Sequence, residues 1–180
     1  MSPLGQRIGP VELKARWAWS ELESSRFAVS YRKPGKDPLF DKRISGASFE
    51  ELDAANQADL VDRITHNPNR SCLVSALDQF PNFKCEEWTR ADIMLVRVVP
   101  ILGGLTLEEL VKLPLQNDLN HPIDAASKIP IDQEFHQDEP VIVLPVQSNG
   151  TACQLLLEGT LRAVLFLRSG QDKICVWFPT

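Results

Sequence analysis

Between Glu139 and Phe178 the chain carries a pattern that few architectures accommodate. Val141-Ile142-Val143-Leu144-Pro145-Val146 is an apolar run of strand length, rich in β-branched residues. Ser148-Asn149-Gly150 is a hairpin turn signal, and Ala152–Leu157 is the strand that returns from it. From Thr160 to Arg168 the period becomes helical, with Leu161, Val164, Leu165 and Arg168 on one stripe and Gly170 closing the helix. Ile174–Phe178 reads as a last strand. The order strand, turn, strand, helix, strand demands a sheet with a helix laid on it, which makes the fold class α/β.

The rest of the chain is less periodic. Residues 11–26 read as a helix behind Pro10, with Leu13, Trp17 and Leu22 on one face; Trp17 serves the core and Trp19 is a partly buried helix residue. Arg32–Gly46, with Pro34, Gly35 and Pro38 among many charges, reads as a loop. Ser48 and Glu51 form a capping-box pair that opens a helix along Phe49, Leu52, Asn56, Leu60 and Ile64, ended by His66-Asn67-Pro68-Asn69. A short helix is expected near Cys72–Phe80 and a loop after it. Ala91–Pro100 reads as a buried strand, and Thr106 with Glu109 as a capping box opening a helix that stops before Pro114. Leu115–Asp138 is a long polar, proline-containing connection of the kind that either carries function or packs on the surface through Ile123, Ile129 and Phe135. Residues 1–90 are thus expected as an N-terminal helical extension and 91–180 as the sheet-bearing domain, together one compact unit.

Bulk properties exclude several classes. With 180 residues, 43% of them hydrophobic, the chain has enough material for a core without disulfides. A net charge of −5 argues against an extended grip on a nucleic-acid backbone and leaves room only for a local basic patch. The first ten residues lack the apolar run of a signal peptide, and Ile93–Gly104, broken by Arg97 and Pro100, is too short to span a membrane. Cys72, Cys85, Cys153 and Cys175 have no metal-site spacing and read as free buried thiols in a reducing, cytoplasmic setting. His66, His121 and His136 share no ligand-like spacing. Asp132, Glu134, Asp138 and Glu139 around His136 read as a solvated acidic loop before a divalent-ion site, and Trp17, Trp19 and Arg16 as helix residues before a base-stacking platform.

The junction Glu158-Gly159-Thr160-Leu161-Arg162 is where chemistry could reside. A helix N-terminus offers unpaired N–H groups and partial positive charge to an anion. Gly159 would let backbone approach a ligand, Thr160 could cap the helix or donate to a phosphate oxygen, and Glu158 could act as a base or metal partner. Arg162 stands in the first turn, where the dipole disfavours a cation unless an anion lies between them; its guanidinium suits bidentate phosphate contact. The residues leave a second reading open: Glu158 and Arg162, four apart, form a local ion pair worth about 0.2–0.5 kcal/mol and Gly159 is only a tight turn.

The set Glu139-Pro140-Val141-Ile142-Val143, Gly150, Leu155-Leu156-Leu157-Glu158-Gly159-x-x-Arg162-Ala163 and Ile174-x-Val176 resembles the ParB/sulfiredoxin-like superfamily. Its members carry a Pro-Ile-x-Val strand, a hairpin, a Leu-Asp/Glu-Gly-x-x-Arg strand-to-helix turn, a helix and an Ile-x-Val strand. The resemblance covers about forty residues. It implies a small mixed sheet with packed helices and an N-terminal helical extension, with Gly159, Thr160 and Arg162 binding the phosphates of a nucleoside triphosphate with Mg²⁺. It also implies a catalytic carboxylate at Glu158, because family kinases acting on free serine carry an acidic residue before that glycine. Thr160 stands where sulfiredoxins need cysteine, so sulfinic acid reduction is not expected. The chain reaches Thr180 without the helix-turn-helix of chromosome-partitioning members, whose Gly-Glu-Arg-Arg it also lacks. Three functions follow: a nucleotide-binding phosphotransferase or hydrolase, a non-catalytic interaction protein that keeps the fold, or a DNA-associated, nuclease-like factor. A nucleotide is the expected partner, with a protein partner second and nucleic acid or membrane not expected.

Overall fold

The computed structural model describes residues 3–22, 28–118, 120–129, 140–148 and 150–180. The chain divides into two compact units, residues 8–83 and residues 1–7 with 84–180.

The 8–83 unit is helical. Helix α1 (Pro10–Glu21) begins with Pro10 in its first turn and buries Leu13, Ala15, Trp17, Ala18 and Trp19. Trp19 is as buried as Trp17, each 3% exposed, so it lies deeper than its position in the sequence suggests. The helix stops at Glu21; the remainder of the expected 11–26 helix reaches residues outside those described. After α2 (Ala28–Tyr31) comes a helix where the sequence reads as loop, α3 (Pro38–Ile44). The Asp37 carboxylate caps it by accepting from the N–H groups of Leu39 (3.2 Å) and Phe40 (3.4 Å), Pro38 opens it, and Lys42 and Arg43 lie in its last turn. These are full start and stop signals on a helix too short to show a period. The expected helix from Ser48 is also revised. Phe49–Glu51 is a single 3₁₀ turn, Leu52 is extended, and Asp53 caps the helix proper, α4 (Ala54–Thr65), through the Asn56 N–H at 2.8 Å. The Ser48 hydroxyl donates to the Glu51 carboxylate instead of capping a backbone amide. Helix α5 (Ser71–Ser75) runs into a 3₁₀ turn at Ala76–Gln79. Helices α1 and α4 pack together, with Leu60 and Ile64 fully buried.

Charge is buried in this unit. The Arg63 side chain is 7% exposed and the Asp37 side chain 3%. Arg63 Nη1 donates to Asp37 Oδ2 (2.7 Å) and to the Tyr31 carbonyl (3.0 Å), and Nη2 to Asp37 Oδ1 and Asp59 Oδ2, both at 2.9 Å. Burial pushes the Asp37 carboxyl up, but the Arg63 hydrogen bonds, the N–H of Lys33 and the Arg63 charge outweigh it and hold it down at about 2.

The second unit is built on a six-stranded mixed sheet in the order β1-β2-β6-β4-β5-β3, where β1 is Arg7–Ile8, β2 Phe83–Thr89, β3 Arg97–Val98, β4 Val141–Ser148, β5 Thr151–Glu158 and β6 Lys173–Pro179. Strands β4 and β5 form the expected antiparallel hairpin, while β6 runs parallel to β4 and β3 parallel to β5. Val141, Ile142, Val143 and Leu144 are each no more than 2% exposed, which explains why this strand reads as an unbroken apolar run: a central strand is buried on both faces.

Two expectations fail here. Residues 81–88, read as loop, belong largely to β2, where buried Phe83 and Cys85 alternate with Lys84 and Glu86. Ala91–Pro100, read as one buried strand, is helix α6 (Arg90–Met94) followed by the two residues of β3. A capping box starts α6: the Asp92 carboxylate accepts the Thr89 N–H at 2.9 Å and Thr89 Oγ1 accepts the Asp92 N–H at 3.3 Å. The Thr106–Glu109 box opens α7 (Leu107–Val111) as expected. Within the long connection, α8 (Pro122–Ser127) carries Asp124, whose buried carboxylate accepts the N–H groups of Gln116 and Asp118, each at 2.7 Å. Residues 130–139, with the acidic cluster and His136, lie outside the described residues. The last helix, α9 (Thr160–Ser169), packs against α6, α7, α8 and β4 and ends on Gly170 at φ 76°. It buries Ala163, Val164, Phe166 and Leu167; Arg168 faces solvent and is not part of the core stripe.

Candidate functional site

Strand β5 delivers Leu156, fully buried, and then Glu158, where the pairing with β4 is irregular between Ile142 and Val143. Gly159 turns the chain into α9 with φ 91° and ψ 26°, a left-handed conformation that side-chain-bearing residues rarely adopt. It is the N-cap of the helix, and having no side chain it brings no acceptor to the first turn. Its carbonyl accepts the Ala163 N–H at 2.9 Å.

Glu158, Gly159, Thr160 and Arg162 therefore occupy one turn. Arg162 Nη2 donates to Glu158 Oε2, and the two side chains are 17% and 14% exposed. The open side of Gly159 is occupied by the protein itself. A Cβ there would lie 2.6 Å from Val141 Cγ1, 3.0 Å from Val141 Cβ and 3.1 Å from Arg162 Nη2. The close approach that glycine allows is thus made to β4 and to Arg162. Thr160, the first residue of α9, is partly exposed.

Four further points concern residues singled out in the sequence. A cleft of about 370 Å³ lies beside Glu87, Asp172, Lys173 and Cys175, and none of the four turn residues lines it. None of the four cysteines is in a disulfide, and Cys85 alone is buried, against the expectation of buried thiols; Cys72 is exposed and Cys153 and Cys175 are intermediate. Among the described residues no group of three or more His, Cys, Asp or Glu side chains gathers to hold a metal ion. No helix among them is long and apolar enough to cross a membrane.

Sequence reasoning passed over Arg90, whose guanidinium donates to the Leu167 carbonyl in the last turn of α9. A cation at that end is matched to the helix dipole. The partners are 77 residues apart, so no local spacing announces the contact. Comparisons with protein-family models, with curated proteins and with solved structures find no match.

Proposed function

We propose that residues 91–180 are a ParB/sulfiredoxin-like domain that binds the phosphates of a nucleotide at the turn Gly159–Arg162, in a protein of the cytoplasm. The observation that carries this reading is an arginine in the first turn of α9 behind a left-handed glycine cap that supplies no side-chain acceptor. The strand, hairpin, strand, helix, strand order around it agrees with the resemblance read from the sequence. Thr160 would donate its hydroxyl to a phosphate oxygen and Arg162 its fork of N–H groups. Glu158, next to both, would act as the base of a phosphotransferase or hydrolase, or hold Mg²⁺. That ion commonly takes one or two carboxylates and completes its shell with phosphate oxygens and water, so a single protein carboxylate fits.

Thermal unfolding with ATP, CTP, GTP and ADP plus Mg²⁺ tests the reading. A nucleotide at a hundred times its Kd adds about 2.7 kcal/mol to the stability of the native state and raises Tm. Arg162→Ala should abolish that rise. Loss of the rise in Glu158→Gln only when Mg²⁺ is present would assign the carboxylate to the metal.

A second reading, a non-catalytic interaction protein, is favoured by a specific observation. Val141 fills the space beside Gly159 and Glu158 pairs with Arg162, so the glycine and the arginine each have a purpose inside the fold. No Tm rise with any of the four nucleotides at millimolar concentration would put this reading first.

A further inference from the structure

One edge of the sheet is open along the first half of β5. On one side this strand pairs with β4 from Thr151 to Glu158; on the other it meets only the two residues of β3, at Leu155 and Leu156. Among the described residues no strand lies beside Thr151–Gln154 on that side, and Thr151 and Ala152 are exposed. The registers show which backbone groups face outward. Pro145 has no N–H to give, so Pro145 and its partner Gln154 are a pair that exchanges no hydrogen bonds. Alternation along the strand then turns the N–H and C=O of Ala152 and Gln154 away from β4. The β3 side agrees. The Val98 N–H goes to the Leu105 carbonyl at 2.8 Å, so Arg97 is the residue that faces β5, and its register with Leu155 gives it the Gln154 carbonyl and the Leu156 N–H. The Ala152 N–H, the Ala152 carbonyl and the Gln154 N–H are left with no strand to bond among the described residues.

Proteins keep such edges from pairing with a charge, a proline or a bulge. None of these guards Thr151–Gln154. No charged residue stands between Glu139 and Glu158, Pro145 lies on the other strand of the hairpin, and the register irregularity is at its far end, between Ile142 and Val143. The missing charge also bears on what pairs there. Two copies of a chain of net charge −5 repel one another, and their approach costs least along a stretch where neither carries charge. An acidic or basic peptide finds no countercharge on this edge.

We infer that a second copy of this chain adds its own β5 edge here, antiparallel and about a two-fold axis through Ala152. Ala152 of each copy gives its N–H to the Ala152 carbonyl of the other, and the Gln154 N–H comes opposite the mate's Gly150. The free stretch lies between the hairpin turn and β3, and the strand that enters it is the same stretch of the mate, so the contact is self-complementary as a two-fold interface must be. The two six-stranded sheets become continuous. A contact this short makes a transient dimer, populated at high protein concentration.

Sedimentation of the full chain from micromolar to millimolar concentration, read together with amide hydrogen exchange, tests this. The chain should pass from monomer to dimer, and exchange at Ala152 should slow as it does so. Ala152→Pro removes only an outward N–H, so it should keep the parent's Tm and weaken dimerisation about tenfold or more. Ala152→Lys and Ala152→Glu should each sediment as a monomer, and their mixture should dimerise, because the axis sets the two side chains directly opposite one another. A parent chain that stays monomeric at millimolar concentration overturns the inference. Fast exchange at Ala152 would then leave the edge to a strand of another protein, and slow exchange would mean that the chain covers the edge itself. A dimer indifferent to Ala152→Pro overturns it too, since it forms through another surface. So does a mixture of the Lys and Glu variants that stays monomeric while each keeps the parent's Tm.

Discussion

Among the described residues the helical unit buries Lys14, Glu21, Asp37 and Asn67 at 7% exposure or less, whereas the sheet unit buries a single polar side chain of this kind, Asp124. Lys14 meets Asp78 at 2.7 Å, Glu21 accepts from Trp17 and Arg70, and Asp37 is gripped by Arg63. In the sheet unit the charged groups serve mostly as caps and turn anchors at the ends of elements, while Val98, Val143, Leu156, Val164 and Phe166 fill a core with no exposure at all. Both units contain short helices, and the contrast follows from what those helices pack against: other helices in one unit, long paired strands in the other. Short helices such as α2, α3 and α5 have little apolar face to bury and leave many terminal amides and carbonyls to be met by side chains. A hairpin of two eight-residue strands satisfies its backbone by itself and can spend its side chains on packing.

The contrast is most exposed to failure at Arg63. Arg63→Ala leaves the Asp37 carboxylate buried without its partner and should cost about 3–5 kcal/mol in urea unfolding. Replacing both members, Asp37→Asn with Arg63→Met, should recover most of that loss; no recovery would mean the pair is more than a mutual neutralisation. In the sheet unit the sensitive position is apolar and steric. Gly159→Ala forces a Cβ onto Val141 in a left-handed backbone and should cost about 3 kcal/mol, read as a drop in Tm; a loss of a few tenths would show that β4 yields there.

Acid sharpens the comparison further. Asp37 is held at about 2, below its ordinary 3.8, so its contribution is complete above 3.8 and is lost as pH falls through 3.8 towards 2. The loss amounts to about 2 kcal/mol and should vanish from the Asp37→Asn, Arg63→Met protein, measured by urea unfolding at pH 5 and pH 2.5. The smallest effect is expected at a cap of the sheet unit. Thr106→Ala removes the acceptor of the Glu109 N–H, 3.2 Å away, and should cost about 1 kcal/mol.

Particular residues show what could be read in advance. The β4–β5 hairpin, α9 and β6 were legible because each is long enough to display its period, and because Gly150 and Gly170, at φ 75° and 76°, stand where left-handed turns need them. Helix α3 was not legible despite Asp37, Pro38 and Arg43, because seven residues give barely two turns of pattern. Ile93, Val96 and Val98 are all buried, so the 91–100 segment is as apolar as a strand requires; only the hydrogen bonds of Thr89 and Asp92 decide that its first half is a helix. At the candidate site the sequence brought Glu158, Gly159, Thr160 and Arg162 together because they are local. It could not foresee that Val141, eighteen residues away, would stand over Gly159.

By itself, then, the sequence determined the α/β class and the place of the strand-to-helix turn, since both depend on periodicity and on neighbours within four residues. The tertiary structure decided which charges are buried and that Arg90 closes the far end of α9. Those outcomes depend on which distant side chains share a low-dielectric interior, and no spacing along a chain encodes that.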